Sequence, residues 1–480
     1  MALLLFLSLA AWAMSSAVGS TPDEDSVLTS IWCGTSETVG ATPYCQPDPN
    51  RPGFVIVPGL VAEPERCLHI TVTGNWGSAA CQEGVRNEVF STDRYSKGSY
   101  PKTYSDVMRN FVSADVEKSV MQMRLFNSLL AAVTIILAFS INLRPLNDAL
   151  LTWMIVVTPA AAYFIGSVHN SSWTLIGTTC FIFAFTSLLR NRKVPQIWIP
   201  ASLLVLFGVW SSSSSRPEGE YTLIVLAAIM LISEFQPKGL KPSKKALIIV
   251  GATLTIATFV FQRASWLGRT NIFNDQRIMS EKEFPHTAND LLLNNFLRLP
   301  DFFLSYFGSF GLGFPQLSLG SIVWLFSSQS FLLLIAFAIR KSHKTHQIIF
   351  AFAFLFMSFA ILYLSQTGLY EVAHEISPRY FMPLFIGIVV ITANNKKSRY
   401  PISLVISVAL MSTISNSLAI RDSIRRYVTG QDIYSTKSLN NGREWWWNFG
   451  PAPETVWLIG SLAFAMLFAV IIYERKLESA

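Results

Sequence analysis

Three consecutive carboxylates, Asp23, Glu24 and Asp25, stand directly behind the apolar run Ala2 to Val18. Beside a low-dielectric boundary, repulsion and desolvation are expected to raise the pKa of at least one of these acids or to recruit a divalent cation, Mg or Mn, with Asp23 and Asp25 as its ligands. Either arrangement can take a proton from an acceptor hydroxyl. The plainer alternative is that Pro22 ends a helix and the acids form a solvated exit. Arginines supply context. Arg216 in Ser215-Arg216-Pro217-Glu218-Gly219-Glu220-Tyr221 and Arg379 in Ser377-Pro378-Arg379-Tyr380 each stand at the end of an apolar segment, and Arg124 lies near the end of a third. A guanidinium there can hold phosphate oxygens bidentately and stabilise a phosphate leaving group. Snorkelling to lipid headgroups is the competing role. His374 between Glu371 and Glu375 has metal-ligand character but no second histidine and no zinc motif. The chain carries no phosphate-cradling glycine loop, nucleophile elbow or nucleotide domain. A sugar donor would therefore be lipid-linked.

The elements that must position these groups are membrane spans. A composition of 51% hydrophobic and 14% charged residues, with mean hydropathy +0.40, excludes a soluble protein. Apolar segments of about 17 to 22 residues suit ~30 Å of hydrocarbon. They run Ala2–Val18, Met121–Ile141, Ala149–Gly166, Trp173–Leu189, Ile197–Trp210, Tyr221–Phe235, Ala246–Phe261, Leu317–Ile339, Ile348–Ser365, Tyr380–Ala393, Ile402–Ile420 and Thr455–Tyr473. That predicts an all-α polytopic membrane protein of about twelve transmembrane helices. Lys and Arg gather in alternate loops: Arg190-Asn191-Arg192-Lys193, Lys238 with Lys241, Lys244 and Lys245, Arg340-Lys341 with Lys344, Lys396-Lys397 with Arg399, and Arg475-Lys476. The positive-inside rule puts those loops and both termini in the cytoplasm and the acidic triplet on the extracytoplasmic face of a bacterial plasma membrane. The net charge of +7 is thus a matter of topology, and no nucleic-acid partner is expected.

The organisation reads as residues 1–19, a first transmembrane helix or signal anchor; 20–115, an extracytoplasmic loop domain; and 116–480, a multi-helix membrane domain. The small residues Ser16-Ala17-Val18-Gly19 also resemble a signal-peptidase site. Cys33, Cys45, Cys67 and Cys81 all fall in the loop domain and imply two disulfides with three possible connectivities, sequential pairing being preferred. Cys180 reads as a packing residue. Trp445-Trp446-Trp447 fits an aromatic belt, with a carbohydrate-stacking platform as the alternative. Span centres nearly free of ionisable residues argue against a pump or ion-coupled transporter.

These fragments together resemble a domain-of-unknown-function family of polytopic membrane proteins, common in actinobacteria and related to GT-C fold glycosyltransferases. The resemblance rests on Pro22-Asp23-Glu24-Asp25 followed by Ser30-Ile31-Trp32-Cys33, on Tyr100-Pro101 with Tyr104, on Met123-Arg124-Leu125-Phe126-Asn127, on Asn170-Ser171-Ser172-Trp173, on Ser215-Arg216 with Glu218, and on Pro378-Arg379-Tyr380 with Pro383. Val27 stands where the family commonly has a histidine, and Leu312-Gly313-Phe314 follows Phe310-Gly311 where Trp-Leu-Asp is common. The resemblance implies a GT-C-like arrangement in which an acid just after the first helix is base or metal ligand. The implied activity is transfer of a sugar from a polyprenyl-phosphate carrier, with Asp23, Glu24 and Asp25 catalytic and Arg216, Arg379 and Arg124 binding the lipid phosphate. The partners are then a lipid-linked sugar donor, an envelope glycan or lipid acceptor, and membrane lipids. Translocation or scaffolding of lipid-linked wall precursors is the non-enzymatic alternative.

Overall fold

In the computed structural model, residues 1–34, 39–64, 68, 77–97, 100–141, 146–157, 159–191, 194–234, 288–308, 319–368, 370–372, 376–394, 399–430 and 438–479 are described. Cys67, His374, Glu375, residues 310–314 and the expected span Ala246–Phe261 lie outside them. Two short helices begin the chain, α1 (Ala2–Met14) and α2 (Glu24–Cys33). A three-stranded antiparallel sheet follows in the order β1 (Gln46–Pro47), β2 (Val55–Pro58), β3 (Val89–Thr92), with Ile56 opposite both Gln46 and Ser91. The alternation of β2 sends Val55 and Val57 inward. A disulfide between Cys33 and Cys45 ties the end of α2 to the start of this sheet, as sequential pairing requires; Cys81 is also disulfide-bonded, and Cys180 is free and buried.

The α-helices from residue 116 onward are α3 (Val116–Ser140), α4 (Leu146–Val156), α5 (Pro159–Ile165), α6 (Asn170–Arg190), α7 (Pro195–Ser213), α8 (Pro217–Glu234), α9 (Ala288–Leu297), α10 (Leu299–Gly308), α11 (Ser321–Lys341), α12 (Lys344–Gly368), α13 (Met382–Asn394), α14 (Ile402–Val428) and α15 (Pro453–Ser479). Among the described residues seven of these are long and apolar enough to cross a bilayer, namely α3, α6, α7, α11, α12, α14 and α15, or up to eight if the bent pair α4 and α5 is one span. One of the twelve expected spans, Ala246–Phe261, lies outside the described residues, and others differ for physical reasons. Helices α1 and α13 have 13 residues each, about 20 Å at ~1.5 Å per residue, short of the hydrocarbon thickness. Pro159 starts a new helix because it has no N–H to continue α4. Glu218 and Glu220 occupy the first turn of α8.

Helix α6 is the hub, and its candidate span is 83% buried. It meets α7 where Gly177 and Gly208 face each other; a Cβ on either glycine would come within 2.7 Å of the other's carbonyl oxygen, the small-residue approach favoured between membrane helices. Helix α1 is integrated into the bundle, with Trp12 1% exposed and its Nε1 donating to Asn416 Oδ1 of α14 at 3.0 Å. The interhelical turns collect at two ends. At one end Arg190 pairs with Glu234 and Arg475 with Asp148. At the other lie residues 22–25, 169–171, 216–218 and 379–380, joined there by the sheet segment. Arg426 of α14 fastens that segment by donating to Leu68 O at 3.2 Å and to Gly77 O.

Candidate functional site

The three consecutive acids part company in the fold. Glu24 turns into the core against Arg124 of α3, whose Nη2 lies 2.9 Å from Oε1; the two side chains are 0% and 1% exposed. Arg124 also donates to Ser16 O at 2.6 Å, Ala13 O at 3.1 Å and Ala17 O at 2.9 Å. It thereby satisfies carbonyls left open where α1 ends. Trp447, 4% exposed, closes over the same place, with its Nε1 donating to Met14 O at 2.9 Å. Arg124, read as a phosphate ligand, is therefore a buried fastener. The three tryptophans are likewise buried rather than displayed as a belt or platform.

Asp23 takes the opposite course. It is the only non-glycine residue at positive φ among the described residues, with φ 59° and ψ 17°. Asp tolerates this left-handed region better than most residues, at a cost of about 1 kcal/mol. Asp23 stands at the N-cap of α2 yet makes no side-chain cap bond. Glu24 instead reaches back to the Thr21 N–H at 3.1 Å. The Asp23 carboxylate pairs with Arg379 and, at 3.5 Å, with Arg94, which follows β3. Asp25, 2% exposed, pairs with Arg94 as well, accepting from its Nη2 at 3.0 Å.

Arg379 rides on the single turn Pro378–Tyr380 ahead of α13. Its Nη1 donates to Pro22 O at 3.1 Å and its Nη2 to the Tyr380 hydroxyl at 3.2 Å. Arg216, between α7 and α8, pairs with Glu218 at 2.8 Å and donates to Ser171 Oγ at 2.6 Å. The two guanidinium carbons lie 4.7 Å (Arg216) and 5.1 Å (Arg379) from the centroid of the Tyr380 ring, so both cations share one phenol face system. Tyr100 approaches Arg216 at 5.7 Å. The Nε atoms of Arg216 and Arg379, Ser377 Oγ and Asn170 Oδ1 are buried without a hydrogen-bond partner among the described residues. Arg124 Nε is unpartnered in the same way, so such atoms point to a ligand only beside an exposed group such as the Asp23 carboxylate.

The electrostatics correct one expectation. Burial pushes the Asp23 carboxyl up, as anticipated, but the Arg379 guanidinium, helped by Arg94, outweighs it and holds the group at about 2. His169, the N-cap of α6, accepts the Ser171 N–H on Nδ1 at 3.0 Å. Burial first, and then Arg379 and Arg216, keep it well below the ordinary histidine value, so it is neutral. Burial lifts Tyr100 to about 12 against the pull of Arg216. The donor set does not fit a divalent cation, because the oxygens of Asp23 and Asp25 are turned to guanidinium groups and Arg94 lies between the two carboxylates. No group of three metal-ligating side chains occurs among the described residues.

The fold thus brings together Asp23, Asp25, Arg216 and Arg379 from distant parts of the chain and removes Glu24 and Arg124. Sequence reasoning missed Arg94 and His169 as members. His169 had one usable signal, being the histidine at a span end directly before Asn170-Ser171-Ser172; Arg94 had none beyond its place after a strand. Glu371, expected near His374 as a metal-ligand candidate, binds Arg298 at 2.8 Å.

Residues 6–388 match the family described as Predicted membrane protein (DUF2142), and the chain belongs to that family. The match includes every member of the cluster above. No curated protein and no solved structure matches the chain.

Proposed function

We propose that this member of the Predicted membrane protein (DUF2142) family is a GT-C-like glycosyltransferase that uses a polyprenyl-phosphate-linked sugar on the extracytoplasmic side of a bacterial plasma membrane, building an envelope glycan or glycolipid. The observation that carries the reading is Asp23: a strained, half-exposed carboxylate that forgoes its helix cap to meet Arg379, beside a second arginine on the same tyrosine ring. Strain kept at one acid is a mark of function more than of scaffolding.

In the proposed reaction the acceptor oxygen attacks the anomeric carbon of the donor and its proton passes to the Asp23 carboxylate. The bond from that carbon to the phosphate oxygen breaks, and the electron pair leaves with the polyprenyl phosphate. Arg379 and Arg216 hold the resulting charge. Tyr100, protonated across the working range, and neutral His169 add no charge of their own. The base acts directly, since its oxygens already face guanidinium groups. Mass spectrometry of surface glycolipids and wall polysaccharide from a deletion strain, complemented with wild type or Asp23→Asn, tests the reading. Loss of one glycan, restored by wild type alone, supports it. Restoration by Asp23→Asn removes the base and favours translocation or scaffolding of the same lipid-linked precursors.

A further inference from the structure

We infer that Asp23 is the resident occupant of an oxyanion site on Arg379, and that a singly charged phosphoester binds there by displacing it. The inference rests on the proposed function only for the kind of molecule that brings the phosphate.

Four observations converge. The cluster is electroneutral as built, with Arg94, Arg216 and Arg379 against Asp23, Asp25 and Glu218. An anion added to it without exchange would leave excess negative charge in a largely buried place, which is costly. Second, the two partners are unequally fixed. Arg379 is 7% exposed and anchored by Pro22 O and Tyr380, whereas the Asp23 side chain is 44% exposed. The carboxylate is the part that can leave. Third, Arg379 Nε and Ser377 Oγ are buried with no partner among the described residues; a phosphate has three or four acceptor oxygens where a carboxylate has two, and can meet more of these donors.

Fourth, Asp23 has somewhere to go. Its left-handed backbone leaves α2 without a side-chain N-cap, and an Asp at that position normally adopts an extended backbone and accepts from the first-turn N–H groups. Released from Arg379, Asp23 can relax to the ordinary cap, so the strain of the paired state and the cap of the open state offset part of the cost of exchange. The groups around it are Arg379, Arg94 and His169, with Arg216, Glu218, Tyr100 and Tyr380 behind. His169, being neutral, cannot replace the lost cation.

Calorimetric titration of the purified full-length protein with inorganic phosphate and with a short-chain prenyl monophosphate tests the exchange. Removing the competitor removes the fraction of time the site is self-occupied, so Asp23→Asn is expected to tighten phosphate about tenfold, and Arg379→Gln to abolish binding. Asp23→Gly, which accepts the left-handed backbone without strain, repeats the measurement should the Asn variant fold poorly. Tightening for both probes identifies a headgroup-only site, and tightening confined to the prenyl phosphate identifies a lipid-borne one; either supports exchange. Affinity that is unchanged or weaker in both variants, or absence of binding in all proteins, overturns it. Tightened binding with unaltered surface glycans would retain the exchange and remove glycosyl transfer, whereas lost glycans without tightening would do the reverse.

Discussion

Two neighbouring acids on one turn of chain lead to two different kinds of ion pair. The Glu24–Arg124 node is sealed: both side chains are at most 1% exposed, the arginine meets three backbone carbonyls, and a tryptophan covers it. The Asp23–Arg379 node is open on its acidic side and strained in its backbone. The lesson is that charge type does not separate scaffold from site; exposure of the acid and backbone strain do. A pair buried on both sides and closed over by a tryptophan holds the fold, and a pair with an exposed, strained half is ready to exchange.

The largest expected effect breaks the sealed side. Arg124→Ala leaves Glu24 buried and unpaired and reopens the end of α1, a loss of about 3–5 kcal/mol, read as a collapse of thermal stability or of membrane expression. Asp23→Asn is expected to leave expression near wild type and to lower transfer at least ~100-fold, the lower range for loss of a general base. Glycan analysis alongside a melting curve separates the two outcomes. Arg216→Lys keeps the charge but loses the planar fork that meets Glu218, Ser171 and the Tyr380 ring, for about a tenfold loss of transfer. Acid sharpens the comparison further. Because Arg379 and Arg94 hold Asp23 at about 2 against an ordinary 3.8, its contribution to stability is complete above about pH 4 and is lost as pH falls through 2. Melting curves from pH 5 to pH 2 should therefore show a fall in wild type that Asp23→Asn lacks. The smallest effect belongs to Glu220, exposed on the first turn of α8, where Glu220→Gln should stay within ~0.5 kcal/mol and leave transfer unchanged.

Hydropathy and the alternation of basic loops were enough to read a multi-helix membrane protein with its acids and arginines at span ends, because burial in lipid imposes long apolar runs. Span number was harder to read. A 13-residue helix such as α1 or α13 and a proline-broken pair such as α4 and α5 give the same local hydropathy as a full crossing, and only packing tells them apart. At the site, the meeting of Asp23 with Arg379 was legible from placement alone, since both flank span ends on the same side. Which of three consecutive acids would face inward was not, because rotation about α2 by one residue decides it. Arg94 was invisible for a related reason: its role depends on the register of β3 and on where the small sheet docks.

The central claim is that Asp23, and not its neighbour, does chemistry. Surface glycolipids and wall polysaccharide should be compared by mass spectrometry in cells whose sole copy is wild type or Asp23→Asn, with the purified variant shown to melt as a folded protein. The account predicts a folded variant and a missing glycan. An unaltered glycan profile from a folded Asp23→Asn protein would contradict it.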